Sequence, residues 1–142
     1  MTSPPGKTFS TEIYVAFGDC DPAGIVYYPN FYRWFDVSTQ RMGDSVGLDL
    51  QSMRREHGWL GMPLVEAHAR FVRPASHGDT IRIDTRVAEW TAKTFRLEHR
   101  VLRGEELLAE GWEVRIIGEP VPGNDRRIRA VVIPEHVRAR LS

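Results

Sequence analysis

One cysteine, Cys20, stands in a chain of 142 residues, so no internal disulfide can close. There is no CxxC, HxH or HExxH, and the five histidines, His57, His68, His77, His99 and His136, are scattered. Structural zinc needs several Cys or His ligands at short spacing, so no metal is expected. Neither sign of charge is in excess: 19 Lys+Arg face 19 Asp+Glu. A nucleic-acid binder carries a basic surplus, so nucleic acid is not expected as a partner. No apolar run approaches the ~20 residues of a membrane helix. The opening Met1–Lys7 lacks the apolar stretch of a secretory leader. A cytoplasmic location without a membrane partner is the expectation. No GxSxG elbow is present, so a serine nucleophile of that kind is excluded. The length suits one domain, read as residues 8–142 behind a disordered lead-in over 1–7.

What is present has a clear order. Thr8–Phe17 is rich in Thr, Ile, Tyr, Val and Phe and reads as a strand. From Phe31 the period changes: Phe31, Trp34, Phe35, Ser38, Met42 and Val46 fall on one face of a helix that Gly47 closes. A short second helix is expected over Leu50–Glu56. Strands follow at Leu64–Val72, Thr80–Trp90, Thr94–Arg103 and Leu108–Ile117. In the last of these Leu108, Glu110, Trp112, Val114 and Ile116 alternate. A final strand is expected over Arg127–Ile133, with a short helix after Pro134. Strands joined by short links form hairpins and an antiparallel sheet, and there is no βαβ alternation. The expected class is α+β, with one sheet curled around one long apolar helix.

Chemistry concentrates in the turn Gly18-Asp19-Cys20-Asp21-Pro22-Ala23-Gly24. Asp, Pro and Gly are turn formers, but this turn runs directly into the apolar Ile25-Val26-Tyr27-Tyr28 and a helix start. A carboxylate there meets free backbone N–H groups at the edge of a core. An EF-hand fails, because position 12 counted from Asp19 is Asn30. A phosphorylated aspartate of the dehalogenase type would need a longer, parallel α/β chain. Cys20 sits between two carboxylates, which disfavour a thiolate.

The run FGDCDPAGIVYYPNFYRWFD, Phe17–Asp36, resembles the signature of the 4-hydroxybenzoyl-CoA thioesterase family. Weaker similarity continues through Gly61-Met-Pro-Leu-Val65, Phe71-Val72, Glu89-Trp90 and Lys93-Thr-Phe95. The resemblance implies the hotdog fold, a curved antiparallel sheet around one long helix, and an acyl-CoA thioesterase. It implies Asp21 as the catalytic carboxylate, either nucleophile or general base, and the backbone N–H near Tyr28 as the group polarising the thioester carbonyl. Asp36 is a second acidic candidate on the helix, with a substrate-orienting role expected. Phe31 and Met62 are expected against the acyl group, and Lys93 and Arg126 against the CoA phosphates. Coenzyme A belongs to the substrate, and no separate cofactor is expected. A homo-oligomer is implied, either a dimer or a dimer-of-dimers tetramer, with the site at the subunit boundary. The alternative reading is a non-catalytic acyl-thioester-binding or scaffold module. Dehydration of a hydroxyacyl thioester would need a His/acid pair, and no His lies near the turn in sequence.

Overall fold

A computed structural model of the chain describes residues 6–142. The order is β1 (Phe9–Tyr14), a 3-10 turn (Phe17–Asp19), α1 (Pro29–Ser45), α2 (Leu50–His57), β2 (Leu64–Phe71), β3 (Thr80–Trp90), β4 (Phe95–Arg103), β5 (Glu106–Arg115), β6 (Gly118–Val121), β7 (Asn124–Ala130) and α3 (Glu135–Leu141). The first five strands form an antiparallel sheet in the order β1-β3-β4-β5-β2. β1 and β2 are its edges. The α+β expectation, one sheet around one long helix, holds.

Three local readings are corrected. The first strand ends at Tyr14 rather than Phe17, because Phe17–Asp19 winds into a 3-10 turn closed by Asp19 N–H to Ala16 O at 3.0 Å. The last strand is Asn124–Ala130, and it pairs with β6, which the sequence reading missed. Gly118 and Pro120 read as breakers, but the two-stranded hairpin tolerates Pro120, and Gly118 bridges Gly61 where a Cβ would lie 2.6 Å from Ile128 Cγ2. The third correction concerns β5. Beyond Leu108, its buried residues are Ala109, Gly111, Glu113 and Arg115, while Glu110, Trp112 and Val114 lie on the outer face. There Trp112 stacks on His68, and the Arg96 guanidinium sits 4.7 Å from its ring centre. The expected 1–7 lead-in falls, through residue 5, outside the described residues, and Gly6 N–H bonds Val87 O at 2.8 Å.

α1 buries Phe31, Trp34, Phe35, Ser38, Thr39, Met42 and Gly43 against the sheet. The apolar core divides at the middle of this helix. One half gathers Phe31, Trp34 and Phe35 with Ile81, Ile83, Val101 and Ala109. The other gathers Met42 with Val87, Leu97, Phe95 and Ile117, closed by Val137 and Leu141 of α3. Between them four elements contribute buried polar residues: Thr39 from α1, Thr85 from β3, His99 from β4, Glu113 and Arg115 from β5.

Gly111 makes the close approach of α1 to β5 possible. A Cβ there would lie 2.6 Å from the Phe35 ring and 2.6 Å from His68 O. Gly111→Ala is therefore expected to destabilise the fold by about 1–3 kcal/mol, seen as a lowered Tm. Gly18→Ala, whose Cβ would meet nothing within 4 Å, should stay within about 0.5 kcal/mol of the parent.

Candidate active site

The acidic turn closes as a small hairpin. Cys20 bridges Val26, Asp21 N–H bonds Ile25 O at 2.9 Å, and Tyr27 N–H bonds Asp19 O at 2.9 Å. Asp21-Pro22-Ala23-Gly24 forms its tip, with Gly24 N–H to Asp21 O at 2.9 Å. Asp leads, Pro follows and Gly ends this turn, each at its favoured position. Gly24 takes φ +79°, which a side chain would strain. Asp21 Oδ1 accepts Ala23 N–H at 2.9 Å. Its Oδ2 has no hydrogen-bond partner among the described residues, so one carboxylate oxygen is anchored and the other is open.

Asp19, by contrast, is consumed by structure. It accepts from Ala16 N–H at 2.9 Å and from Arg33 at 3.3 Å, and its carbonyl takes the Asn30 side-chain amide at 2.8 Å. These bonds pin the hairpin onto the first turns of α1. The helix begins with Pro29 at its first position and has neither a capping side chain nor an acid in its first turn. Tyr28 N–H has no acceptor among the described residues. This helix start keeps its positive end open to a partial negative charge.

Beside that end lies a cavity of about 400 Å³ lined by Ile25, Tyr28, Phe31, Phe71, Val72 and Ala75, among others. Phe31 and Phe71 pack at 5.3 Å and Tyr28 and Phe71 at 6.2 Å between ring centres. Its wall is mainly apolar, with Arg73 the one charged residue.

A second cavity, about 500 Å³, lies further along α1 and is lined by Tyr32, Asp36, Gln40, Met62, Glu113 and Arg115 with neighbouring apolar residues. The polar layer of the core forms its base. Glu113 Oε1 accepts Thr39 Oγ1 at 2.8 Å and pairs with His99 Nε2 at 2.5 Å. Glu113 Oε2 accepts Arg115 Nε at 3.1 Å and Nη2 at 2.5 Å. Thr85 Oγ1 lies 2.7 Å from His99 Nδ1, and Phe35 stacks flat on the imidazole at 4.6 Å. Burial pushes the Glu113 carboxyl up, but hydrogen bonding and attraction from His99, the charge of Arg115 and the Thr39 hydroxyl outweigh it. They hold it below the ordinary carboxylate value. This His/acid pair is sealed under Phe35, with His99 1% and Glu113 2% exposed. Its polar atoms are taken up within the core by Thr39, Thr85 and Arg115.

The thioesterase-like superfamily matches residues 15–141. The chain belongs to that superfamily. The 4-hydroxybenzoyl-CoA thioesterase of Pseudomonas sp. (strain CBS-3) is 36% identical over 134 residues, covering 90% of this chain and 93% of its own. The 1,4-dihydroxy-2-naphthoyl-CoA hydrolase of Synechococcus sp. (strain WH7803) is 28% identical, covering 69% of this chain and 68% of its own. A crystal structure of a 4-hydroxybenzoyl-CoA thioesterase mutant complexed with 4-hydroxybenzoyl-CoA superimposes with a TM-score of 0.86 at 32% identity. It covers 95% of this chain and 99% of that one. The sheet wrapped on α1 is the hotdog fold, and the chain is a thioesterase of the 4-hydroxybenzoyl-CoA thioesterase family.

In this thioesterase the residues singled out from the sequence fall into three places. Tyr28 and Phe31 line the apolar cavity at the start of α1, while Asp21 stands at the tip of the hairpin that leads into that helix and does not line the cavity. Asp36 and Met62 meet in the larger cavity, where Arg115 Nη2 bonds Asp36 Oδ1 at 2.9 Å and Arg115 Nη1 bonds Met62 O at 2.7 Å. Lys93, in the β3–β4 turn, and Arg126, on β7, are exposed and line neither cavity. Sequence reasoning missed Glu113, Arg115, Arg33 and Phe71. The signal for the first two was a like-facing acid–base pair, two residues apart, in a strand whose inward neighbours are Ala109, Gly111 and Ile117. No helix among the described residues is long and apolar enough to cross a membrane.

Because the Glu113 carboxyl is held low, its stabilising contribution is full above the ordinary glutamate value of 4.5 and is lost as pH falls below it. Glu113→Gln leaves the buried Arg115 with only the half-exposed Asp36 as counter-charge and is expected to cost about 3 kcal/mol at neutral pH. In denaturant melts between about pH 5 and pH 3, the variant should lose less stability than the parent.

Proposed function

We propose that this thioesterase hydrolyses an acyl-CoA, aromatic or short-chain, to the free acid and CoA, with Asp21 as its catalytic carboxylate. One juxtaposition carries the reading: a carboxylate with one anchored and one open oxygen, in a loop that runs straight into the uncapped start of α1. Asp21 attacks the thioester carbonyl carbon. The oxyanion that develops is met by Tyr28 N–H and the positive end of the helix. Collapse breaks the C–S bond and releases CoA thiolate, leaving a mixed anhydride. Water hydrolyses the anhydride and returns Asp21 as a carboxylate. Activation of a water by the same oxygen would use the same two groups. The relatives named for CoA thioesters support CoA as the leaving group. The exposed cations Lys93 and Arg126 are assigned to its phosphates, and CoA enters as part of the substrate with no further cofactor.

The cavity at Tyr28 and the cavity at Asp36 become one site in a homodimer. Along α1 the eight residues from Tyr28 to Asp36 rise ~12 Å, too far for one small acyl group to span within a chain. β2 is an open edge that exposes Leu64, Val65 and Phe71, with Val72 just beyond its end. An unpaired edge of this kind invites a strand. Phe71 lines the Tyr28 cavity, and Leu64 and Ala67 line the Asp36 cavity. Two-fold antiparallel pairing of β2 with its copy sets the Phe71 end of one strand against the Leu64 end of the other. Asp21 and Tyr28 of one protomer would then face Asp36 and Met62 of its partner. A dimer of such dimers would give the tetramer.

Asp21→Asn is expected to lower kcat by at least ~10² with little change in oligomeric mass, and Cys20→Ser to stay within a few-fold, measured by free-thiol release from benzoyl, hydroxybenzoyl, phenylacetyl and straight-chain CoA thioesters. A fully active Asp21→Asn enzyme would move the chemistry to Asp36. The shared site has its own check. Mixed dimers of Asp21→Asn and Asp36→Ala chains contain one site with both native carboxylates, so unfolding and refolding the two impaired proteins together should raise activity on the preferred acyl-CoA above that of either alone. Sites confined to one chain would give no recovery.

A further inference from the structure

We propose that Arg115 is a positioning residue for the acyl end of the site, a single buried cation that holds Asp36 and Met62 in place against the anchor of Glu113. The inference rests on the reading that Asp36 and Met62 face the acyl group. The Arg115 side chain is 4% exposed, whereas Asp36 is 55% exposed. Four of its five N–H groups are engaged: Nε and one Nη2 with Glu113 Oε2, the second Nη2 with Asp36 Oδ1, and one Nη1 with Met62 O. These acceptors come from three parts of the chain: α1, the segment before β2, and β5 itself. Two of them, Asp36 and Met62, line the larger cavity.

The arrangement works in one direction. Glu113 is fixed from both oxygens by Thr39, His99 and Arg115, and His99 is fixed in turn by Thr85 and the face of Phe35. Asp36 has no such support. Apart from Arg115, its one hydrogen bond among the described residues is a 3.5 Å contact from Gln40, also to Oδ1. Oδ2 has no partner among the described residues and is the oxygen left for substrate. Without the guanidinium, the Asp36 side chain would regain its rotamers and the Met62 carbonyl its freedom. A lysine keeps the charge but offers a single ammonium that cannot bridge three acceptors in a plane.

The test is a double-mutant cycle read on the same acyl-CoA panel. Asp36→Ala is expected to flatten the preference among acyl groups. Arg115→Gln should flatten it in the same way, lowering kcat/KM for the preferred acyl-CoA by ~10-fold to ~10²-fold while sparing the poorest substrate. The double variant should match Asp36→Ala alone, because Arg115 acts through Asp36. Should Arg115→Gln not fold, Arg115→Lys keeps a cation beside Glu113 and is read in the same cycle. Two effects that multiply, or a loss equal on every acyl group, would overturn the positioning role. An Asp36→Ala enzyme with unchanged acyl preference would instead overturn the underlying reading of that cavity, and the positioning role with it.

Discussion

A charged pair buried inside the sheet, Glu113 with Arg115, is the constraint around which the remaining structure is arranged. Burying two ions is unfavourable unless geometry and further hydrogen bonds compensate. Here Thr39, His99 and Thr85 are drawn from three other elements to complete the set. The result is a polar layer that separates two apolar halves of the core. It also pins register. A one-residue slip of β5 would turn Glu113 and Arg115 outward and drive Trp112 into the space now filled by Phe35. With Ala109 and Gly111 as its small inward residues beside Glu113 and Arg115, β5 carries little apolar register information of its own, whereas a slip that buried Glu110 without partners would be costly.

The same layer connects stability to the site. Its lower side is core, and its upper side is the floor of the Asp36 cavity. At the other end of α1 the opposite condition holds. There, among the described residues, one carboxylate oxygen of Asp21 and the N–H of Tyr28 have no partner. The contrast between a fully bonded Asp19 and a half-bonded Asp21, two residues apart, separates a structural carboxylate from one available for chemistry.

Much of this was legible in the amino-acid order. The stripe Phe31, Trp34, Phe35, Met42 located α1 because an aromatic helical face has only one place to go. Asp-Cys-Asp-Pro-Ala-Gly identified the turn, because each residue type occupies the position that its backbone preference dictates. The burial of Glu113 and Arg115 was not legible. Charge marks a residue as outward unless its partners are known, and these partners lie on α1 and β4, far away in sequence. Trp112 misled for the complementary reason: its apolar bulk is satisfied outside by Arg96 and His68. The β6–β7 hairpin was hidden by Gly118 and Pro120, a glycine kept by close packing on Ile128 and a proline that a two-stranded hairpin tolerates.

The placement of β1 has a consequence for how the chain reaches this state. β1 opens the chain yet pairs with β3, Phe9 against Thr85, across both of the first two helices and β2. That ladder closes a long loop whose entropy must be lost before its contacts form. β3, β4 and β5, joined by tight hairpins, can assemble locally and early, while β1 must wait for a template that the ribosome makes later. Topology of this kind places folding toward the slower, millisecond-to-second range. Until β1 docks, the flank of β3 remains open to a strand from any nascent copy.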